Sequence, residues 1–499
     1  MASPGVRMTT TAGVSAHARL IHSVSVLVSD FVFRTSDFIA PMLVDTHAHL
    51  EDPRFDADRD DVVQRARDAG VRFIIDPASD LTTSRKVIAL AERYDGVYAA
   101  VGVHPHEVSE FPDKALPVLR ELAAHEKVVA IGEIGLDYYR DLSPRDLQRE
   151  VFLKQIDVAL ELDLPVIVHS RDAHLDVAEI LRQVHPSGNL RGVLHCFSGA
   201  LDWAESAVKM GFCIGFDGPL TWDNADDLRD IAAAVPLEHT LLETDAPYLT
   251  PAPRKRSERN EPAYVTHVAE TLARIRGLSV DDVARVTSLA AARLFDIPCA
   301  DEASRIAYVI RNSLYLNVTN RCSNDCTFCT RRHSDTVKGH RLVLDREPTA
   351  GEIETACGDV SRYDEVVFCG YGEPTERLDV LKELARWVKD RGRPVRVVTN
   401  GEGDLINGRS IAPELAGLVD RLSVSVNTAD AAQHVTLCRS RFGADAYPAI
   451  LKFIESAKPH VPEIEITAVA APGVDMQAVE DLARKLGVSF RARRYNETG

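Results

Sequence analysis

Short apolar runs alternate with amphipathic stretches along the chain from residue 42 to about residue 300. The runs end near Asp45, Asp76, Gly102, Glu133, His169, His195, Phe216 and Glu243. Between two of them, residues 147–162 repeat apolar positions at helical spacing. Alternating strands and helices predict βα units around a parallel sheet, and eight such strands are the number that closes a TIM (β/α)8 barrel.

A second series of apolar runs begins after residues 298–311, which we interpret as a linker behind the barrel. Its strand-like segments include residues 313–319, 365–368, 395–401, 422–427 and 488–491. Six strand candidates in this half predict a partial (β/α)6 barrel, so the fold class is α/β throughout. The predicted domains are therefore residues 42–297 and residues 312–499.

Length and composition agree with two domains. The 499 residues, with a hydrophobic content of 45%, supply enough apolar material for more than one core. Residues 1–41 are poor in acids, and we interpret them as a disordered extension or a start codon placed too early. The apolar stretch inside them is too short and too interrupted to span a bilayer, so no membrane association is expected.

Charge and cysteine content narrow the function classes. A net charge of −17 disfavours a broad nucleic-acid-binding surface, although a metal centre or a local basic loop can still hold a phosphodiester. Nine cysteines in a chain of this length do not suggest a disulfide framework, which favours the cytoplasm. The scattered cysteines are interpreted as small buried residues: Cys196, Cys213, Cys357, Cys369 and Cys438.

The first apolar run ends in two histidines, His47 and His49, at alternate positions. Because alternate residues of a strand share a face, both can reach one metal ion, although an isolated pair of this kind is as easily a surface feature. Other ligand types follow later apolar runs, namely Glu133, His169, His195 and Asp245. In a parallel barrel all these strand ends open on one face, so the pattern predicts a metal centre there.

These residues lie in five motifs: Asp-Thr-His-Ala-His-Leu at 45–50, Gly-Val-His-Pro-His at 102–106, Gly-Glu-Ile-Gly-Leu-Asp-Tyr at 132–138, His-Cys-Phe-Ser-Gly at 195–199 and Glu-Thr-Asp-Ala-Pro-Tyr-Leu at 243–249. Together they resemble the TatD-type metal-dependent deoxyribonucleases over residues 42 to about 295. The resemblance implies two divalent metal ions (Mg, Mn or Zn), one held by His47, His49, Glu133 and Asp245, the other by Glu133, His169 and His195. Glu133 then bridges both ions, and Glu133 and Asp245 are the expected catalytic residues.

Two further groups are candidate substrate contacts. His104 and His106 could touch a phosphate, or they could simply pack the turn around Pro105. A basic loop after Asp245 could steer a DNA backbone or be an ordinary solvated surface; it contains Arg254, Lys255, Arg256 and Arg259.

The second half delivers Cys322, Cys326 and Cys329 directly after its first strand. Three cysteines at this spacing suit a [4Fe-4S] cluster that leaves one iron open. Zinc is the alternative, with His333 as a fourth ligand.

The cysteine loop, with Phe328 before its last cysteine, resembles the radical S-adenosylmethionine enzymes over residues 313 to about 494. The loop Gly372, Glu373 and Pro374 is similar to the family's site for the methionine amino group, with Glu373 supplying the charge. Ser425 and Asn427 are the expected ribose contacts. The resemblance implies a [4Fe-4S] cluster, bound S-adenosylmethionine, an external reductant and radical chemistry on an unknown substrate.

The most direct functional hypothesis is a fusion of a two-metal phosphodiester hydrolase with a radical enzyme. The expected substrate of the first half is DNA, held weakly and transiently and cut from an end. A small-molecule amidohydrolase on the same barrel is the alternative within enzymes. A further alternative treats one half as a non-catalytic binding or assembly module, but both halves keep their full set of ligand types.

Overall fold

The computed structural model describes residues 42–111, 115–184, 190–298, 303–332 and 334–493. The predicted extension at 1–41 and the candidate zinc ligand His333 lie outside these ranges. Eight parallel strands, in chain order around one sheet, form the first half. They are β1 Leu43–Asp45, β2 Val71–Pro77, β3 Val97–Val101, β4 Val128–Asp137, β5 Val166–Arg171, β6 Gly192–Leu194, β7 Cys213–Phe216 and β8 Thr240–Leu242.

Helices alternate with these strands along the chain. They are α1 Arg59–Asp68, α2 Leu81–Arg93, α3 Ala115–Ala123, α4 Arg145–Leu162, α5 His174–Val184, α6 Leu201–Lys209, α7 Asp226–Ala234, α8 Val265–Arg276 and α9 Val280–Phe295. The barrel closes where the chain leaves β1 and β8: the Thr46 amide donates to Leu242 O at 3.0 Å, and the Asp245 amide donates to His47 O at 2.8 Å. The predicted (β/α)8 barrel is confirmed.

Two apolar cores flank the barrel strands. One face of each strand, represented by Leu43 and Ile74, packs against the surrounding helices. The opposite face, represented by Val44 and Ile75, packs in a second cluster with the last helix, α9. Because the Ser288 hydroxyl of α9 donates to Met42 O at 2.7 Å, just before β1, α9 covers the amino end of the barrel. The carboxyl end is thereby left for polar side chains.

A seven-stranded sheet forms the second half. Its strands are β9 Ala307–Ile310, β10 Ser313–Leu316, β13 Glu365–Phe368, β14 Val395–Thr399, β15 Arg421–Ser425, β16 Glu463–Val469 and β17 Ser489–Arg493, and a separate hairpin contains β11 Thr336–Val337 and β12 His340–Arg341. The order across the sheet is β17-β16-β15-β14-β13-β10-β9, and all neighbours are parallel except β9 and β10. Five of the six parallel strands overlap the segments named from the sequence, and β16 is the sixth.

The seventh strand corrects the linker assignment. Ala307–Ile310 was predicted as part of the linker at 298–311, but it pairs antiparallel with β10 from Ala307 opposite Leu316 to Ile310 opposite Ser313. A two-residue turn at Arg311 and Asn312 joins the strands, and Arg311 has a positive φ of 54°. The segment was missed because four residues with only one buried side chain, Tyr308, carry little alternation.

Six helices accompany this sheet: α10 Ala350–Cys357, α11 Leu378–Lys389, α12 Gly403–Asn407, α13 Ala431–Cys438, α14 Ala446–Ala457 and α15 Met476–Leu486. A third apolar cluster includes alternate strand residues such as Leu314, Val366 and Val397 together with helical residues such as Leu381 and Ile450. None of the described helices is long and apolar enough to cross a membrane.

Contacts between the halves run through α9. The Arg285 Nε donates to Lys338 O at 2.7 Å, the Arg293 guanidinium donates to Thr336 at 2.8 Å, and the Arg311 amide donates to Asp282 at 3.0 Å. The last barrel helix therefore contacts the hairpin of β11 and β12 and the turn between β9 and β10.

Candidate metal centre and cysteine loop

The predicted ligands of the barrel meet at its carboxyl end. His47 and His49 follow β1, His195 follows β6 and Asp245 follows β8, whereas His169 lies within β5. All six side chains, including Glu133, are buried or nearly so. Parallel strand ends converge there, which is why residues far apart in sequence become neighbours.

Glu133 differs from expectation in one respect, because its strand does not end there. β4 continues to Asp137, and its register with β5 shifts between Ile131 and Ile134. An irregularity of this kind redirects a side chain out of the regular alternation. Gly132 is needed beside it, since a Cβ at this position would lie 2.6 Å from the Ile167 Cβ.

Three sets of residues could each hold a metal ion, because the ligand atoms within each set lie within 4.8 Å of one another. The sets overlap. The sets are His47, His49 and Asp245; His47, Glu133 and His195; and His104, Glu133 and His169. Glu133 belongs to two of them. Imidazole nitrogens and carboxylate oxygens gathered at such distances are the donors that divalent ions such as zinc take, so the residues fit the implied metal ions.

Each oxygen of Glu133 faces a different part of the cluster. Oε1 lies 2.7 Å from His169 Nδ1 and 3.0 Å from His195 Nε2, while Oε2 lies 3.5 Å from His47 Nε2. Burial raises the pKa of the Glu133 carboxyl, but the surrounding histidines, His195 foremost, hold that pKa well below its usual value. The carboxylate therefore stays ionised and directs one oxygen to each side of the centre.

His104 lies closer to this centre than its predicted role as a substrate contact implies. Its Nε2 lies 3.7 Å from Glu133 Oε1, and burial lowers the pKa of its imidazole well below the usual value. A neutral ring in this position can act as a further ligand or as a contact to bound phosphate.

His106 is linked to the centre through Asp137, a residue that sequence reasoning missed. Asp137 Oδ2 lies 2.8 Å from His106 Nε2 and 3.1 Å from His169 Nε2. Burial raises the pKa of Asp137, but the bond to His169 and further hydrogen bonds bring that pKa below its usual value. The position of Asp137 at the true end of β4 was the available signal.

A second pair of missed carboxylates stands behind His49. Glu51 Oε1 lies 3.5 Å from His49 Nδ1, and the buried Asp76 accepts the Leu50 amide at 3.2 Å. Burial, followed by the neighbouring Glu51, raises the pKa of Asp76 well above its usual value. Partners of this type fix the orientation of a ligating imidazole. Asp76 ends the second apolar run of the sequence, and this position was the signal that could have identified it.

The cysteine loop lies between β10 and β11, and Cys322, Cys326 and Cys329 are all partly buried free thiols. Two backbone bonds on either side of Cys326 attach the loop to the end of α13: the Asp325 amide donates to Cys438 O at 3.1 Å and the Thr327 amide to Leu437 O at 2.9 Å. Three thiols on one short, anchored loop fit a [4Fe-4S] cluster.

Comparison with known families decides the relationship. The model of the TatD related DNase family matches residues 44–296, and that of the Radical SAM superfamily matches residues 316–486. The chain belongs to the TatD related DNase family. Its second half is a radical SAM domain, and both resemblances stated from the sequence are confirmed.

Three similar proteins each cover about half of this chain. The uncharacterized metal-dependent hydrolase YabD of Bacillus subtilis is 43% identical over 256 residues, which are 51% of this chain and 100% of that protein. The 3′-5′ ssDNA/RNA exonuclease TatD of Cronobacter sakazakii is 39% identical over 51% of this chain and 97% of its own length. The crystal structure of YJJV, a TatD homolog from Escherichia coli, covers 52% of this chain and 100% of its own with 36% identity and a TM-score of 0.50.

In the radical SAM domain, the Gly-Glu-Pro loop is tightly held by the protein itself. Glu373 accepts hydrogen bonds from Thr375, from the Thr399 hydroxyl at 2.8 Å and from the Asn400 amide at 2.7 Å. A Cβ on Gly372 would lie 2.3 Å from Arg321 O. The strand ends around the cysteine loop are therefore held in place by Gly372, Glu373 and the buried Pro374. Glu373 has this structural role in addition to the predicted contact with an ammonium group.

Of the two predicted ribose contacts, Ser425 and Asn427, only Asn427 is connected to the cysteine loop by the following contacts. Ser425 Oγ is 3.2 Å from Thr467 Oγ1, and Asn427 Nδ2 is 3.8 Å from the Cys438 thiol. Cys438 in turn reaches the Cys326 thiol, which brings Asn427 and the cysteine loop into one cluster.

The basic loop of the TatD barrel is largely engaged by neighbours. Arg254 lies over the Tyr264 ring, Arg256 lies over the Trp222 ring at 3.8 Å, and Arg259 pairs with Asp58 at 2.7 Å. These arginines stabilise the loop, and the partly exposed ones still place positive charge near the mouth of the barrel.

Proposed function

We propose that the chain is bifunctional, with a two-metal phosphodiester hydrolase in the TatD barrel and a radical S-adenosylmethionine enzyme in the second half. The observation that supports the first activity best is the position of Glu133. One carboxylate with its two oxygens directed to different histidine sets suits a bridge between two divalent ions. The ionised state of Glu133 agrees with that role.

The chain's own residues have distinct tasks in this proposal. His47, His49 and Asp245 hold one ion, and His169 and His195 hold the other, with Glu133 shared between them. When bound, the ions lower the pKa of a water and neutralise charge on phosphoryl oxygens. Asp137 keeps His169 and His106 in fixed orientations, because it lies within hydrogen-bonding distance of both rings.

His104 and His106 are the proposed contacts to the substrate phosphate. Their rings lie edge to face with centroids 4.3 Å apart, and His104 lies 4.6 Å from His169. They therefore border the metal centre on the side of β4 and β5. A neutral His104 can donate one hydrogen bond to a phosphoryl oxygen without a charge to desolvate.

The proposed substrate is single-stranded DNA or RNA, degraded from an end. Relatives that are 37–39% identical over the barrel carry the name 3′-5′ ssDNA/RNA exonuclease. A buried two-metal centre at the mouth of a barrel suits a terminal phosphodiester better than the middle of a long strand.

A substrate panel tests the hydrolase proposal. Full-length protein, with and without added Mn²⁺, is incubated with end-labelled single-stranded DNA, duplex DNA, RNA and a set of small amides. Metal-dependent, stepwise shortening of the single strands is expected. Hydrolysis of amides without any cleavage of nucleic acid would instead identify a small-molecule amidohydrolase.

The proposed second activity rests on the anchored cysteine loop and its neighbours. Cys322, Cys326 and Cys329 would hold a [4Fe-4S] cluster, while Ser425 and Asn427 contact the ribose of S-adenosylmethionine. When bound, the cluster would supply one electron for cleavage of S-adenosylmethionine, and the protein would shield the reaction and position the substrate. An external reductant would be required, because the cluster has to be reduced before it can supply that electron.

Anaerobic reconstitution tests this second activity. The reconstituted protein is expected to bind about four irons and, when reduced, to convert S-adenosylmethionine to 5′-deoxyadenosine, measured by mass spectrometry. Zinc at the loop in place of iron would contradict the proposal.

A further inference from the structure

Exposed apolar side chains of the described residues concentrate around the mouth of the TatD barrel. Of seven large hydrophobic residues that are exposed, five follow barrel strands β4, β5, β6 and β8. We call these five the rim: Tyr139, Leu142, Leu175, Leu201 and Tyr248. Single exposed apolar residues are ordinary, but their clustering around a functional mouth indicates a binding surface.

Tyr248 is the rim residue nearest to the metal ligands. It follows Asp245 by three residues, its ring centroid lies 6.1 Å from that of His49, and 49% of the residue is exposed. Its backbone is fixed, because its amide donates to Asp245 O at 2.8 Å and its carbonyl accepts from Asn260 at 2.6 Å. A large ring is thus held rigidly in solvent beside the centre.

One face of the Tyr248 ring is already occupied. The Arg54 guanidinium lies 4.1 Å from the ring centroid, and Asp52 holds that guanidinium through two hydrogen bonds of 2.9 and 2.7 Å. Because Asp52 neutralises it, Arg54 acts as a flat support for the ring and contributes little net charge. Because 49% of Tyr248 remains exposed beside this guanidinium, its ring still offers surface to a planar ligand.

Tyr139 repeats this arrangement on the other side of the mouth. It is 59% exposed, and the Arg171 guanidinium at the end of β5 lies 4.2 Å from its ring centroid. Its amide donates to Asp137 at 3.0 Å, the residue that contacts His169 and His106. Both exposed tyrosines of the described residues therefore flank the metal centre, each with an arginine against its ring.

We propose that Tyr248 is a base-stacking site that selects an unpaired terminal nucleotide for the metal centre. This inference rests on the proposed nuclease function and specifies how its substrate is chosen. Any base can stack on an aromatic ring, so such a site binds single strands with little sequence preference. Stacking also explains how a chain with a net charge of −17 holds a polyanion without a broad basic surface.

Selection against duplex ends follows from the same geometry. A base in a duplex is already stacked and paired, and removing it from the helix costs free energy that an unpaired base does not pay. Tyr248 therefore favours single strands and frayed ends, while Tyr139 is placed to receive a base further along the strand.

The test uses full-length protein and a single-stranded oligonucleotide with 2-aminopurine as its 3′-terminal base and hydrolysis-resistant phosphorothioate linkages. Binding of the wild-type protein is expected to quench the 2-aminopurine fluorescence through stacking. Tyr248→Leu keeps apolar bulk but removes the aromatic face, so we expect about tenfold weaker binding and loss of the quench. Tyr248→Phe and Tyr248→Trp are expected to retain both. Tyr98→Leu is the matched control, because Tyr98 also lies beside a cation, Lys127 at 5.4 Å, but near the amino end of its strand.

The outcomes separate stacking from catalysis. If the wild-type protein cleaves single strands but Tyr248→Leu binds and quenches like wild type, stacking is overturned and the nuclease proposal stands. If the wild type binds and quenches through Tyr248 without cleaving anything, stacking stands and the nuclease proposal falls. If the wild type does not bind the oligonucleotide, and its mass in solution doubles in a way that Tyr248→Leu abolishes, the rim is an interface between two copies and the proposal is wrong.

Discussion

The two halves of this molecule gather their reactive side chains in opposite ways. In the TatD barrel, six candidate ligands come from five strands and are spread from residue 47 to residue 245. In the radical SAM domain, the three candidate cluster ligands all lie within residues 322–329. The barrel centre therefore exists only when the entire barrel is folded, whereas the three thiols lie on one short segment that two backbone bonds attach to the end of α13.

The chemical state of the two ligand sets differs as well. In the barrel, Glu133 and His195 shift each other's pKa towards the ionised pair, with burial opposing both shifts. In the cysteine loop, burial raises the pKa of the Cys322 thiol to about 12. The barrel ligands stabilise one another as an ion pair before any metal ion binds, whereas the cysteines are protonated thiols. Metal binding must release protons from His195 as well as from the thiols, so the loading of both sites depends on pH.

The largest effect is expected for Glu133→Ala. Because Glu133 would bridge both ions, its loss should lower hydrolysis by about a thousandfold or more and reduce the metal content at both sites. His49→Ala should empty mainly one site. Mass-spectrometric metal analysis, activity and circular dichroism provide the measurements.

Glu270→Ala is the matched control, since it removes a glutamate beside His267 on the surface of α8. Near-wild-type metal content and activity in Glu133→Ala would sink the two-metal assignment.

Cys329→Ala tests whether the two chemistries are separate. Removing one of three cluster ligands should abolish the conversion of S-adenosylmethionine to 5′-deoxyadenosine, while hydrolysis by the barrel stays at the wild-type level. Cys357→Ala, a change to a scattered buried cysteine, should affect neither activity. Unchanged deoxyadenosine production in Cys329→Ala would overturn the cluster assignment.

Asp137→Asn should have an intermediate effect. Asp137 Oδ2 faces both imidazoles, while its Oδ1 accepts from the Tyr139 and Arg140 amides. The NH2 group of an amide would have to face donors on one of these two sides, so His169 and His106 lose their fixed orientation. A loss of about 10- to 100-fold in metal affinity or activity is expected. Titration of the metal into stripped protein measures it directly, and Asp141→Asn, in the same loop but paired only with Arg145, is the control. Equal metal affinities in the two variants would exclude the positioning role.

The smallest effect is expected when the chain ends at Ala303. The barrel has its complete set of strands and its closing helix α9 before this point, and it loses mainly the contacts of Asp282, Arg285 and Arg293. Hydrolysis should be unchanged, and the melting temperature should fall by no more than a few degrees. A soluble but inactive product would show that the halves depend on each other.

The same contrast determines how much the sequence could predict. Strand-end periodicity predicted all eight barrel strands and placed six candidate ligands at one end of the barrel, where the structure brings their side chains together. The cysteine spacing pointed to the radical SAM domain, whereas the cluster itself stays a prediction. The roles of Asp137, Glu51 and Asp76 were missed, because a buried carboxylate behind a histidine has no spacing rule of its own. The extension of β4 past Glu133 depended on a change of register with β5, which is a tertiary property.

The antiparallel strand β9 determines how the second half can be handled in the laboratory. It is the edge strand of the seven-stranded sheet, and it covers the backbone groups of β10 that would otherwise be open to another chain. A fragment that begins at residue 312, at the boundary suggested by the sequence, exposes β10 as a bare edge and invites aggregation during expression. A fragment that begins before Ala307 keeps β9 paired with β10. The residues between the two halves therefore help to protect the second half from aggregation.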